Sequence, residues 1–248
     1  MQQYATTPLT IHQIWSNGLQ LARERWRQLY FIFIVNQLII LLSVYLFANP
    51  NKSLSAIFRD HPGNTLIYFI AASLIILFIY ALCFQHLGSV LQGKNSSIKD
   101  SMRNVVRKFP ILIVASILSL FVCALGFVAF VIPGIFIAVN LFYYYPAIIV
   151  DEKTPIDALK YTLKLVWGNW WRSFYVVFGP MFIAGIIGGL ISLIIFMFSL
   201  FIPGLSTISD YLNNIINLLF QAYVNVIIIA IQLIQWNDLK VRKALSLN

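Results

Sequence analysis

Six side-chain amides recur at helical spacing in the last long apolar stretch of the chain, Tyr211–Trp236. Successive offsets of 3, 4, 4, 7 and 3 residues place them along one face of a helix. Inside a membrane, such amides either hydrogen-bond to neighbouring helices or line a polar path for a ligand. The sequence leaves both interpretations open. The six residues are Asn214, Asn217, Gln221, Asn225, Gln232 and Gln235.

A second set of residues has the chemistry of anion binding. Basic side chains lie opposite apolar stripes, such as Ile98, Met102 and Val105, on amphipathic segments. This pattern is typical of a helix at a membrane surface, where its cations bind anionic headgroups or an acidic partner, or only anchor the helix. The residues that we assign to headgroup or partner binding are Arg27, Lys99, Arg103, Arg107, Lys108, Lys160, Lys164 and Arg172.

Residues suited to covalent or metal chemistry are sparse. His86 and Glu152 lie near the same predicted membrane face, but no nucleophile motif accompanies them. The three histidines and two cysteines lack metal-ligand spacing. The first five apolar stretches contain no carboxylate, which argues against proton-coupled transport through a buried acid. We therefore predict no catalytic residue, no metal and no cofactor.

The elements that must position these side chains are membrane spans. The chain is 60% hydrophobic and only 10% charged, whereas a soluble domain carries about 25% charged residues. A spanning helix needs roughly 20 apolar residues, and six stretches reach or approach that length. We predict an all-α polytopic membrane protein with six transmembrane helices. The stretches are Tyr30–Ala48, Thr65–Gly88, Ile111–Ile132, Ile135–Val150, Phe174–Ile202 and Tyr211–Trp236.

The placement of the basic residues predicts the topology. The net charge is +9, and all of the lysines and arginines except Lys52 and Arg59 fall on one side of the six predicted spans. Cytoplasmic loops carry the excess of basic residues, so both termini should be cytoplasmic. This segregation indicates a membrane surface, not nucleic acid, as the partner of the positive charge.

A unit that occurs three times organises the chain. Each copy opens with a cap, at Thr10, Ser97 or Thr154, followed by a basic amphipathic helix that ends at an arginine. A hydrophobic hairpin with a Pro-Gly turn then follows. We predict one membrane domain, 1–248, with repeats at about 10–88, 97–150 and 154–236, and three hairpins of the same orientation. The predicted turns carry Pro62-Gly63, Pro133-Gly134 and Pro203-Gly204.

One stretch carries a family resemblance. Pro133-Gly134-Ile135-Phe136, Tyr145-Pro146-Ala147, Asp151 to Leu159 and Trp167-Gly168-Asn169-Trp170-Trp171 follow one another between Pro133 and Arg172. This pattern resembles the YciC-like (UPF0259) bacterial inner-membrane proteins and is similar to the membrane domain attached to some glycerophosphodiester phosphodiesterases. The resemblance implies a protein of the bacterial cytoplasmic membrane. It does not imply phosphodiesterase activity, which belongs to a separate soluble domain in those proteins.

Two functions compete on these observations. The first is a non-enzymatic inner-membrane module that binds anionic phospholipid or a partner protein and helps to maintain the envelope. The alternative is a transporter or lipid-handling channel with a polar path along the sixth span. Phospholipid is the expected partner in both cases, and a homo-oligomer or a second membrane protein is left open.

Overall fold

The described part of the protein has an all-α fold, in which helices are joined by short non-helical segments. The computed structural model describes residues 7–47, 62–94, 96–201 and 205–245. Within those ranges no strand occurs, which confirms the predicted fold class at the level of secondary structure. The eight helices found there are α1 (Ile11–Phe47), α2 (Pro62–Leu91), α3 (Ile98–Ala129), α4 (Val131–Leu141), α5 (Tyr144–Ile149), α6 (Pro155–Val166), α7 (Trp170–Phe201) and α8 (Leu205–Leu245).

Five helical segments within the described residues are long and apolar enough to cross a membrane. They match the second to sixth predicted spans, with α4 and α5 together forming one of them. The predicted first span, Tyr30–Ala48, occupies the second half of α1 and extends past the described residues, so it stays a prediction. The five segments are Thr65–Leu91, Ile98–Ala129, Val131–Ile149, Trp170–Phe201 and Tyr211–Leu245.

The three predicted caps are confirmed. Ser97 Oγ accepts from the Asp100 N–H at 3.1 Å, and the Ser97 N–H donates to the Asp100 carboxylate at 3.2 Å. The Thr10 N–H donates to Gln13 Oε1 at 2.8 Å, and the Gln13 N–H returns a bond to Thr10 Oγ1 at 3.2 Å. Thr154 caps α6, and Pro155 begins that helix. Each cap satisfies backbone donors that have no partner inside the helix.

The prediction of three separate amphipathic helices is wrong for the second unit. There α3 continues from its basic first turns through Pro110 to Ala129. In the first unit, α1 consists of two helices that meet at a kink at Arg25 (φ −125°, ψ 16°), two residues before the predicted end at Arg27. In the third unit α6 is a separate helix, because the chain leaves helical geometry at Trp167 and adopts a positive φ at Gly168.

The predicted Pro-Gly turns also need correction. α3 and α4 are separated at Phe130, whose backbone is extended, and Pro133 and Gly134 lie inside α4. Proline is tolerated there because the N–H groups of a first helical turn have no intrahelical acceptor. Pro62 and Gly63 similarly begin α2, whereas the third turn, Pro203-Gly204, lies outside the described residues.

The chain divides into two compact units. The first comprises Met1–Trp26, Tyr80–Phe182 and Ile227–Asn248. Its core contains a fully buried Trp236, which stacks on Tyr143 with ring centroids 6.2 Å apart and meets the edge of Tyr161 at 5.6 Å. Within this unit, α3 contacts α4, α5 and α6. This unit contains all but one of the basic residues that the sequence assigned to binding.

The second unit comprises Arg27–Ile79 and Ile183–Val226. Leu29 and Phe33 are fully buried there, and Tyr30 Oη donates to the Leu219 carbonyl at 3.3 Å. Many of its large apolar side chains are exposed, including Phe196 and Phe198 on α7. A soluble protein rarely exposes so many large apolar side chains. Such a surface suits the hydrocarbon interior of a membrane.

Gly18 permits a close helix crossing in the first unit. A Cβ at Gly18 would lie 2.9 Å from the Cα of Ile231, so the backbones of α1 and α8 meet too closely for any side chain. Gly189 differs, because a Cβ there would meet no described atom within 4 Å. The two glycines therefore provide a matched pair for testing the crossing.

We expect Gly18→Ala to lower the free energy of unfolding by about 2 kcal/mol, because the added methyl group forces α1 and α8 apart. Gly189→Ala should leave stability unchanged or slightly raised, since alanine is the better helix former. Thermal unfolding of both variants in detergent checks this expectation. Equal melting temperatures for the two variants would contradict the proposed crossing.

Candidate functional site

A buried carboxylate joins three distant parts of the first unit. Asp238 is fully buried and accepts from Arg172 Nε at 3.2 Å and from Arg242 Nε at 2.8 Å. Its other oxygen accepts from the Leu9 N–H at 2.7 Å. The Leu9 carbonyl in turn accepts from Nη2 of both arginines, at 2.7 Å in the case of Arg242. We call this set, Leu9, Arg172, Asp238 and Arg242, the arginine–aspartate cluster.

The cluster connects the segment before α1 to the start of α7 and the end of α8. A buried carboxylate is tolerated only when it is paired and hydrogen-bonded, and Asp238 has both kinds of partner. Because the guanidinium of Arg172 is committed to Asp238 and Leu9, its predicted headgroup role has to compete with these contacts. We therefore assign Arg172 a structural role.

We expect Asp238→Ala to destabilise the protein by about 3 kcal/mol, because it leaves two guanidinium groups without their carboxylate. Glu24→Ala is the matched control: Glu24 is an exposed acid on α1, and its loss should change stability by less than about 0.5 kcal/mol. Melting temperatures in detergent measure both effects. A loss for Asp238→Ala no larger than that of the control would show that the cluster contributes little.

The remaining predicted binding residues of α3 divide into exposed and engaged groups. Lys99, Arg103 and Arg107 are exposed on the first three turns of the helix. Lys108 is half-buried, and its Nζ donates to the Ile149 carbonyl and to Glu152 Oε1, each at 2.8 Å. Lys108 thus connects α3 to the α5–α6 turn, and the three exposed cations lie on the same helix.

Other predicted binding residues lie elsewhere. Lys160 and Lys164 are exposed on α6, which contacts α3 within the first unit. Arg27 is exposed and belongs to the second unit. We define the basic surface as the exposed residues Lys99, Arg103, Lys160 and Lys164, which share one compact unit and two contacting helices. Arg107 is also exposed on α3, but it lines a polar cavity and is not included.

Two acidic residues in the α5–α6 turn are held by lysines. Asp151 pairs with Lys240 of α8 at 2.9 Å, and Glu152 pairs with Lys108 of α3 at 2.8 Å. Glu152 adopts a left-handed backbone conformation, with φ at 54°, which is uncommon for a residue with a side chain. The hydrogen bond from Lys108, together with its charge and that of Lys94, lowers the pKa of Glu152.

The sign of that shift predicts a pH dependence. A lowered folded-state pKa means that the pair stabilises the protein above the unfolded pKa of about 4.5, and that this contribution is lost as the pH falls through the folded pKa. At pH 7 we expect wild type to melt at a slightly higher temperature than Glu152→Gln. The difference in the free energy of unfolding should be less than about 1 kcal/mol, because Glu152 is exposed. The difference should shrink and then vanish as the pH falls through the folded-state pKa, which lies below 4.5. A difference that did not change with pH would contradict the assignment.

The six amides of the last helix do not share one environment. In the first unit, Gln232 donates to the Phe142 carbonyl at 2.6 Å, and the buried Gln235 lies 3.5 Å from Ser173 Oγ. In the second unit, Asn217 donates to Ser192 Oγ at 3.2 Å. Asn225 is half-buried, whereas Asn214 and Gln221 are exposed. Three of the amides therefore bond to other helices or to the segments that connect them.

His86 and Glu152 each contact a different partner. His86 is almost fully buried, and its Nδ1 lies 3.2 Å from Ser101 Oγ, whereas Glu152 pairs with Lys108. Within the described part of the chain, no group of three His, Cys, Asp or Glu residues could hold a metal ion.

Sequence reasoning missed two features. The first is the buried pairing of Asp238, for which the spacing of four residues to Arg242 was the available signal. The second is a polar cavity of about 260 Å³ beside Lys108 in the first unit. Its signal was the run of polar residues at the end of α2. Its polar lining includes Gln85, Ser89, Lys94, Ser96, Arg107, Lys108 and Glu152.

Comparison with known proteins gives one family match. A family model described as a domain of unknown function (DUF7847) matches residues 58–239. No curated protein and no solved structure matches the chain significantly. The matched region contains the whole polar cavity, the basic surface and Asp238, but not Leu9.

Proposed function

We propose that this chain, which belongs to the family of the domain of unknown function DUF7847, is an integral membrane protein that binds anionic phospholipid headgroups. Five helical segments long and apolar enough to cross a membrane support the membrane setting. Large apolar side chains exposed on α3 and α7 agree with it, because lipid is the solvent that they suit.

The observation that carries the proposal is the basic surface. Its four residues are exposed on contacting helices of one unit, whereas Lys108, Arg172 and Lys240 are paired with acids. Cations near an anionic membrane surface contribute about 1 kcal/mol each to lipid attraction. The fold thus uses one set of cations for its own ion pairs and presents another set outward.

The proposed location is the cytoplasmic face of a bacterial inner membrane, with both termini inside. The positive-inside distribution of basic residues supports the orientation, and the resemblance to the YciC-like proteins suggests the compartment. The role in this proposal is envelope maintenance without catalysis. The separate partners of His86 and Glu152 support the absence of a His–carboxylate catalytic pair.

The transport alternative depends on the amides of α8. Gln232 and Gln235 bond to the Phe142 carbonyl and to Ser173 within the first unit, as expected of residues that join helices. Asn214 and Gln221 are exposed and would be the residues of any polar path. The geometry favours headgroup binding over transport. The exposed cations can bind anions directly, whereas the amides of α8 are divided between the two units.

Quenching of the six tryptophans by brominated lipid tests the proposal in reconstituted full-length protein. Wild type should prefer brominated phosphatidylglycerol over brominated phosphatidylcholine. Replacing Lys99, Arg103, Lys160 and Lys164 with Gln should reduce that preference by up to about fivefold per residue, and 0.5 M salt should weaken it in wild type.

The matched control removes two charges from the predicted opposite side, by Lys52→Gln and Arg59→Gln. This control should keep its preference for the anionic lipid when only the cytoplasmic leaflet carries the brominated probe. A fourfold variant with the preference of wild type would refute the proposal. Equal losses in the fourfold variant and the control would show that the overall net charge, and not the basic surface, produces the lipid preference.

A further inference from the structure

We propose that the polar cavity of the first unit binds the phosphate group of a hydroxyl-bearing phosphate ester, presented either as a phospholipid headgroup or as a small soluble ester. The cavity lies between the end of α2, the start of α3 and the α5–α6 turn. This inference rests on the proposed function, because it assigns one specific headgroup site beside the basic surface. The cations, the hydroxyl groups and one unpaired amide of the cavity support this site.

Three cations line the cavity against a single carboxylate. Lys94 follows α2, whereas Arg107 and Lys108 are neighbours on α3. Glu152 is the only acid among the cavity's described residues. Arginine presents a planar fork of donors that matches phosphate oxygens, and lysine adds a point charge. The cavity therefore has a net positive charge, which favours a phosphate group with one negative charge, as in a diester headgroup, or with two, as in a soluble monoester.

The end of α2 places Lys94 at the cavity. The Lys94 N–H donates to the Ser89 carbonyl and the Gly93 N–H donates to the Val90 carbonyl, both at 2.9 Å. This pair of bonds is a Schellman motif, and it requires the left-handed conformation that Gly93 adopts, with φ at 72°. The chain thus turns back after α2, which brings Lys94 and Ser96 to the same cavity as Ser89.

Lys108 is fixed by two hydrogen bonds. Its Nζ donates to the Ile149 carbonyl and to the Glu152 carboxylate, each at 2.8 Å. An ammonium group has three donors, so one remains for a ligand in the cavity. Arg107 is the adjacent residue of α3 and is exposed, which leaves its guanidinium accessible to an entering anion.

Hydroxyl groups at the cavity are already ordered. Ser89 Oγ donates to the His86 carbonyl at 2.7 Å and contacts Ser96 Oγ. Ser96 in turn lies 3.4 Å from Ser101 Oγ, which lies 3.2 Å from His86 Nδ1. This chain of contacts orders the hydroxyls before a ligand arrives, which lowers the entropic cost of binding.

An unpaired amide oxygen indicates the rest of the ligand. Gln85 Oε1 is buried and has no hydrogen-bond partner among the described residues, although Gln85 lines the cavity. A buried acceptor without a donor is unfavourable, so we expect the Gln85 amide to turn toward the cavity and accept from a ligand that brings an O–H group. This is why we specify a phosphate ester with hydroxyl groups.

The volume limits the ligand to a small one. Sites for drug-sized molecules span about 300–1,000 Å³, and this cavity holds about 260 Å³. A phosphate with a short polyol fits that space, whereas a nucleotide does not. A neighbouring depression beside Tyr161 is larger. Its three lysines (Lys153, Lys160 and Lys164) are balanced by three acids (Asp151, Glu152 and Asp157), so it lacks the excess positive charge of the cavity.

The test uses the full chain and four probes. Inorganic phosphate and glycerol 3-phosphate are titrated by calorimetry into protein held in neutral nanodiscs, and phosphatidylglycerol is compared with phosphatidic acid by native mass spectrometry. We expect glycerol 3-phosphate to bind more tightly than inorganic phosphate, or phosphatidylglycerol to be retained over phosphatidic acid. Preference in the soluble arm alone identifies a soluble ester, and preference in the lipid arm identifies a headgroup.

Four variants separate the cavity from the basic surface. Arg107→Gln should weaken binding at least tenfold. Gln85→Met should weaken binding of the hydroxyl-bearing probes while preserving the melting temperature, since it removes an unpaired buried amide. Glu152→Gln should strengthen binding several-fold, because it removes the only acid and releases a donor of Lys108. The Lys160→Gln and Lys164→Gln double variant should bind these probes like wild type.

Each outcome is decisive. If none of the four probes binds, or if Arg107→Gln and Gln85→Met bind like wild type, the cavity site is refuted. If Arg107→Gln and the double variant weaken binding equally while Gln85→Met does not, the proposed function stands and the cavity inference fails. If the cavity variants lose binding while the basic-surface variants keep the lipid preference, the inference stands and the proposed function fails.

Discussion

The buried carboxylate of Asp238 is the interaction on which the first unit depends. It accepts hydrogen bonds from two arginines and from the backbone of Leu9, residues that are far apart along the chain. A charge removed from water must be compensated at short range, so the positions of the three elements are coupled to one another. Once the start of α7 and the end of α8 are joined in this way, Gln235 reaches Ser173 and Trp236 packs on Tyr143.

The same principle divides the basic residues into two classes. Lys108, Arg172 and Lys240 each have a carboxylate within 3.2 Å, and each pairing connects separate helices or turns. Lys99, Arg103, Lys160 and Lys164 are instead exposed on α3 and α6. A sequence shows both classes as a single excess of positive charge. Their separation is what makes an anion-binding surface a specific proposal for this member of the DUF7847 family.

The polar cavity adds a specific binding site to the proposed anion-binding surface. Its cations come from the end of α2 and from α3, and its hydroxyls are ordered by contacts that end at His86. A basic membrane surface attracts any anionic lipid, whereas a cavity with placed donors and one unpaired acceptor discriminates among headgroups. Surface and cavity would thus act in sequence, the first by concentrating anions and the second by selecting among them.

Local patterns determined much of this protein. The caps at Thr10, Ser97 and Thr154 and the positions of five apolar spans follow from residues close together in sequence, because hydrogen bonds at a helix start and hydropathy are local properties. Tertiary structure decided the rest. The sequence alone could not show that α3 passes unbroken through Pro110, that Arg172 pairs with a residue 66 positions away, or that Gln85 meets Arg107 at one cavity. Those outcomes depend on which distant groups each buried polar atom finds, and that is settled only when the helices pack.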